Sequence, residues 1–135
     1  MKREIKFRGK CLNDGTWVYG DLLQYDGGSA CEIVDQMINF QQRWVDPASV
    51  GQFTGLVDSK KREIYEGDVV STDRYKISAV IGFIEGCFCT INPNCCDSCK
   101  NGDGCIETLD EAIHLSGHPL EVIGSIHDQP ELINH

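Results

Sequence analysis

The sequence predicts an all-β protein with one short helix, closed as a barrel or stacked as a sandwich. Two observations predict it. Short segments of alternating polar and apolar residues recur along the 135-residue chain, each closed by glycine, aspartate or asparagine. A strand puts alternate side chains on opposite faces, and those three residues tolerate the backbone of tight turns. Only one segment combines helical spacing with both a start and a stop signal. Strands this closely spaced leave no room for the crossover helices of a parallel sheet.

Glu4-Ile5-Lys6-Phe7-Arg8 alternates with a period of two and predicts the first strand. Asn13-Asp14-Gly15 is turn chemistry, and Trp17 to Leu23 predicts the second arm of a hairpin. Asp26-Gly27-Gly28-Ser29 is a loop, and Cys31 to Val34 a short strand. Asp35 to Trp44 stays unassigned: Met37, Phe40, Gln41 and Trp44 have partly helical spacing, but the segment has no clear cap. Pro47 ends whatever precedes it, since it lacks an N–H and restricts its predecessor. Val50 to Gly55 predicts a strand flanked by glycines, and Asp58-Ser59-Lys60-Lys61 a chain reversal. Ile64 and Tyr65 re-enter the core, Gly67 permits a turn or bulge, and Asp68 is placed to accept local backbone hydrogen bonds. Val69-Val70, Tyr75 to Phe83 and Gly86 to Ile91 predict further strands, with Ile77, Ala79, Ile81 and Phe83 on one face. The helix spans 108–116: Thr108 and Glu111 form a capping box, Leu109, Ala112 and Ile113 an apolar face, and Ser116-Gly117 with Pro119 the stop. Leu120 to His127 predicts the last strand, and Glu131 to Ile133 a terminal turn.

The net charge of −9 is uneven. Through Arg62 there are nine Lys and Arg against eight Asp and Glu; from Glu63 onward there are three against thirteen. An acidic second half is ill suited to phosphate backbones, which recruit lysine and arginine. Only Lys2, Arg3, Lys6, Arg8 and Lys10 form a basic run, read here as the charged face of an edge strand. No run of about 18 apolar residues predicts a membrane span. The basic opening has no apolar stretch behind it, so no secretory signal is expected and the chain is expected to stay in the cell that makes it.

Four phrases resemble the YopX family of phage and prophage proteins: REIKFRGK at the start, WVYGDL in the second strand, VGQFTGLVDSKKREIYEGDVV in the middle and LEVIGSIHDQPELI near the end. Their order and spacing match as well as their wording. The resemblance implies an all-β protein with an N-terminal β subdomain, 1–62, and a C-terminal SH3-like barrel, 63–135. It implies the cytoplasm of a bacterial host. It carries no catalytic residues onto this chain, and Asn92 to Cys105 departs from the family pattern.

That departure brings four of the eight cysteines. Cys96 and Cys99 have the two-residue spacing that lets two sulfurs reach one ion, and Cys89, Cys96, Cys99 and Cys105 would complete a tetrahedral zinc set, with His114 or His118 as substitutes. A single CxxC unit favours a loop of reduced thiols over zinc, with disulfides or a redox role for CDSC behind both, and Cys11 and Cys31 read as small core residues. No phosphate loop, triad or catalytic metal motif is present, so no enzyme is expected; a pairing of Glu66 with Asp68 as acid and base is outweighed by their reading as turn residues. The expected role is a non-catalytic interaction or self-assembling module, binding a protein partner or forming a homo-oligomer. The alternatives are a nucleic-acid-binding barrel using Arg3, Lys6 and Arg8 with Trp17 or Tyr19 stacking, or a zinc-stabilised accessory protein.

Overall fold

In the computed structural model, residues 4–72, 78–92, 105–114 and 120–132 are described. The protein is all-β, with two antiparallel sheets and a single short α-helix among the described residues. The chain divides into two compact units, Met1–Gly55 and Leu56–His135.

The first unit carries β1 (Phe7–Lys10), β2 (Trp17–Tyr25), β3 (Ala30–Asp35), β4 (Gln41–Val45) and the start of β5 (Gly51–Val57), in the order β4-β3-β2-β1-β5. The β1–β2 hairpin forms as its turn chemistry predicts. Asp14 Oδ1 accepts from the Thr16 N–H at 3.0 Å and from the Thr16 hydroxyl at 2.7 Å, and Gly15 takes φ +73°. The basic first strand is not an edge: β1 pairs with β2 on one side and β5 on the other, Phe7 standing opposite both Gly20 and Gln52. Its charged row belongs to the outer face of an interior strand.

The segment left unassigned by its spacing is the β3–β4 hairpin. Asp35 and Gln41 face each other across it, and Asn39 and Phe40 both take positive φ at its tip. The sheet then curls back on itself. Val45 bridges to Cys11, the Asp46 N–H donates to the Lys10 carbonyl at 2.9 Å, and the Leu12 N–H donates to the Trp44 carbonyl at 3.0 Å. A 3-10 turn, Pro47–Ser49, follows, with proline in its first turn where a missing N–H costs nothing. Ser49 clips this turn to β1 by accepting from the Lys10 N–H at 2.7 Å. Cys31, Ile33 and Val45 are buried inside the curl, with Phe7, Val18, Leu22 and Val50 packed against them. Cys11 and Cys31 are buried, as expected of small core residues.

The second unit contains β6 (Glu63–Tyr65), β7 (Asp68–Thr72), β8 (Ser78–Ile84), β9 (Cys87–Asn92), β10 (Cys105–Thr108), α1 (Leu109–His114) and β11 (Leu120–Ser125). Its sheet runs β10-β9-β8-β7-β11. The described pairings leave β10 and β11 as the two outer strands, so they form an open sheet without the barrel closure that the family resemblance implies. Helix α1 starts directly after Thr108, as the capping box predicts, and packs on β9 and β10. Leu109 and Ala112 join Ile64, Val70, Ala79, Ile81 and Leu120 in the core. Phe83 keeps the period of Ala79 and Ile81 but is not buried with them. It is 53% exposed and meets Phe88, its cross-strand partner, edge-on with centroids 5.0 Å apart. The alternation of β11 is broken by a bulge between Val122 and Gly124.

Candidate functional site

The curl gives the first sheet an inner face, filled by its core, and an outer face. Register decides which side chains share the outer one, because paired residues in an antiparallel ladder project to the same side. Opposite Glu32 stand Leu23 on β2 and Trp44 on β4, and Tyr25, two residues beyond Leu23, lies diagonally across. Tyr19 continues the row on β2, opposite Arg8 of β1. Tyr19, Leu23, Tyr25 and Trp44 are between 40% and 50% exposed. The Tyr25 and Trp44 rings are 5.5 Å apart at a 45° tilt and form one aromatic shelf.

Beneath the shelf lies Glu32, only 8% exposed. Its Oε1 accepts a 2.7 Å hydrogen bond from the Tyr25 hydroxyl. That bond, then burial, then the negative charge of Glu32 raise the Tyr25 hydroxyl above its ordinary pKa. Period-two reading assigns Glu32 to the solvent side of its strand. Only the register shows that Leu23, Tyr25 and Trp44 cover it. The sequence signal available was a glutamate inside the otherwise apolar run Ala30 to Val34.

A cleft of about 360 Å³ opens between the β1–β2 turn and the β3–β4 tip. Asp14, Thr16, Asp35, Gln41 and Arg43 supply its polar lining, and Val18, Ile33 and Ile38 are among its apolar lining. Its acidic groups are engaged in holding turns. Thr16, donating first from its backbone N–H and then from its hydroxyl, keeps Asp14 below the usual carboxylate range, and Arg43 lies 3.8 Å from Asp14 Oδ2. Asp35 Oδ1 accepts from the Met37 N–H at 2.9 Å. The bonds from Thr16 stabilise the ionised form of Asp14.

The structure brings Lys6, Arg8, Trp17 and Tyr19 onto the outer face; Arg3 lies outside the described residues. Arg8 and Lys10 sit over the Trp17 ring at 4.4 and 5.5 Å, Lys6 sits over Phe53 at 5.1 Å, and Lys6 also pairs with Glu4 at 3.1 Å. The basic and aromatic groups are therefore engaged with one another. Asp68 is buried and its Oδ2 accepts from the Tyr65 N–H at 2.8 Å, which closes the Glu66–Gly67 turn. That contact accounts for Asp68 as a turn-closing residue.

Of the zinc candidates, Cys89 is buried on β9, its thiol 3.6 Å from the Cys87 carbonyl. Cys105 begins β10 opposite Asn92, three pairs along the ladder from Cys89 and its partner Thr108. Cys96, Cys99 and His118 lie outside the described residues, as do the side chains of Cys105 and His114. Among the described residues, no group of three or more His, Cys, Asp or Glu side chains converges to hold a metal ion. Among them, too, no helix is long and apolar enough to cross a membrane.

None of the curated proteins compared with the chain is a significant match. The family model described as YopX protein matches residues 6–134, nearly the whole length. Both units fall within that match, and the chain belongs to the YopX family.

Proposed function

We propose that this protein is a non-catalytic interaction module of phage or prophage origin, which docks another protein on the outer face of β2, β3 and β4. One observation carries the reading: Leu23, Tyr25 and Trp44 stand together in register around Glu32, each at least 40% exposed, with Tyr19 further along β2 on the same face. Single exposed apolar residues are ordinary, but a contiguous aromatic group with a polar centre has the composition of an interface core. Family membership fits a phage-type protein, and the working location under this proposal is the cytoplasm of a bacterial host. The partner is another protein or a second copy of the chain.

Light scattering and affinity capture from host extract, with the wild type and Leu23→Ser, test the reading. The expected result is a stoichiometric complex or homo-oligomer that Leu23→Ser weakens and Phe83→Ser, in the second unit, does not. Association that ignores Leu23→Ser, or none at all at low salt, ends it.

Two finer elements belong to the same proposal. The second sheet is taken as the SH3-type half, supported by its five antiparallel strands and the helix between β10 and β11. Zinc held by Cys89, Cys96, Cys99 and Cys105 is the second, supported by the CxxC spacing. Elemental analysis of chelator-free protein reads one equivalent of zinc if so, and none otherwise. Nucleic-acid binding by the basic strand is the weaker reading, because Arg8 and Lys10 already cover the Trp17 ring on which a base would stack. Fluorescence anisotropy with single-stranded oligonucleotides is expected to show no saturable binding at low salt.

A further inference from the structure

We infer that Glu32 receives an arginine side chain carried by the docked protein, an assignment that rests on the outer-face reading above and names the chemistry of its partner. A glutamate that keeps 8% of its surface is rarely left without a compensating cation. Its one hydrogen bond comes from a neutral donor, the Tyr25 hydroxyl. A carboxylate has about four lone-pair sites, so most of its accepting capacity is unspent. Among the described residues, no lysine, arginine or histidine pairs with Glu32; ion pairs in the first unit include Lys6 with Glu4 and Arg43 with Asp14.

The surroundings select the cation. The Tyr25 and Trp44 rings, in contact with each other and 41% and 50% exposed, neighbour Glu32, Tyr25 through its hydroxyl and Trp44 as the cross-strand partner, and offer π faces to an incoming group. Such faces attract cations, most strongly when water is excluded. A guanidinium suits the site better than an ammonium, because its plane stacks on an aromatic ring while its edge donates two parallel hydrogen bonds to a carboxylate. Leu23, opposite Glu32 on β2, supplies an apolar rim that keeps water from the pair. The net charge of −9 lies beyond Arg62, so the attraction for a cation here is that of the Glu32 carboxylate itself.

Calorimetric titration of the full chain with an acetylated, amidated Gly-Arg-Gly-Arg-Gly peptide tests the assignment. The same peptide with citrulline in place of arginine keeps the shape and removes the charge. The expected result is saturable binding that weakens with sodium chloride and is at least about 10-fold weaker for the citrulline peptide. Glu32→Gln retains an acceptor for Tyr25 and is expected to bind the arginine peptide at least about 10-fold more weakly, with a Tm no lower than that of the wild type, because it removes an uncompensated buried charge. Equal binding of both peptides, equal binding by Glu32→Gln, or no binding by the wild type at millimolar peptide would each overturn the assignment. So would a Tm several degrees lower in Glu32→Gln, which marks a structural carboxylate. Complex formation lost in Leu23→Ser but kept in Glu32→Gln would leave the docking face standing and remove the arginine.

Discussion

Replacing Asp58 with alanine removes the acceptor of three backbone N–H groups at once. Asp58 is 5% exposed. Its Oδ1 accepts from Lys60 and Arg62 at 2.9 and 2.8 Å, closing the reversal between β5 and β6, and its Oδ2 accepts from Val122 of β11 at 2.9 Å. The turn's backbone bonds depend on this arrangement: the Asp58 N–H donates to the Arg62 carbonyl at 2.8 Å and the Ser59 N–H to the Leu120 carbonyl at 2.9 Å. A hydrogen bond to a charged acceptor contributes about 1.5–3 kcal/mol. Water can reach part of the turn and the three bonds act as one unit, so the total falls below their sum. We expect Asp58→Ala to cost about 3–5 kcal/mol, a Tm decrease on the order of 10–20 °C. Asp58→Asn should fall between, since its carbonyl serves two donors while its amide faces the Val122 N–H.

The same site sets an acid limit. Burial alone would raise the Asp58 carboxyl, but the N–H bonds from Val122, Arg62 and Lys60, with the Arg62 charge, prevail and hold it below 3.8. A carboxyl depressed in the folded state contributes stability that is full above its unfolded pKa of about 4 and is lost as pH falls through the folded value. Urea unfolding from pH 7 down to pH 2 should therefore show the wild type and Asp58→Ala converging below about pH 4. A penalty under about 1 kcal/mol at neutral pH, or one that does not shrink in acid, would refute the reasoning.

Gly20→Ala should disrupt the β2–β3 ladder, because the added Cβ would lie 2.0 Å from the Val34 carbonyl oxygen; a loss of about 3 kcal/mol or more in chemical denaturation is expected. Ile81→Ala, 1% exposed in the second core, should cost about 2–5 kcal/mol by leaving a cavity. Lys60→Ala removes an exposed 3.0 Å pair with Glu121 and should change stability by no more than about 0.5 kcal/mol, which makes it the control for Asp58.

The elements that follow one local rule were legible from the residues. Asn13-Asp14-Gly15 gave the first hairpin, Thr108 with the apolar face of Leu109 and Ala112 gave the helix, and Asp58 to Lys61 gave the reversal. The β3–β4 hairpin was not legible, because Met37, Ile38 and Phe40 surround Asn39 at its tip and mask the turn, and Phe40 at φ +55° is unusual for a bulky side chain. Phe83 followed the strand period but lies beside the Glu85–Gly86 turn, past the end of the core. Position along a strand, not only parity, decides burial. The docking face was the least legible part. Leu23, Glu32 and Trp44 are far apart in sequence and meet only through pairing register, which alternation does not encode.

The return of the chain beside β4 limits how anything can bind there. The Trp44 carbonyl and the Asp46 N–H, which would otherwise point outward from the sheet's margin, are taken by Leu12 and Lys10. An incoming peptide finds those positions occupied and cannot extend the ladder past them. Recognition at this margin therefore depends on what the visitor's side chains are, and a generic extended backbone gains little from it. A partner would be expected to tolerate changes of main-chain conformation better than the loss of one well-placed residue.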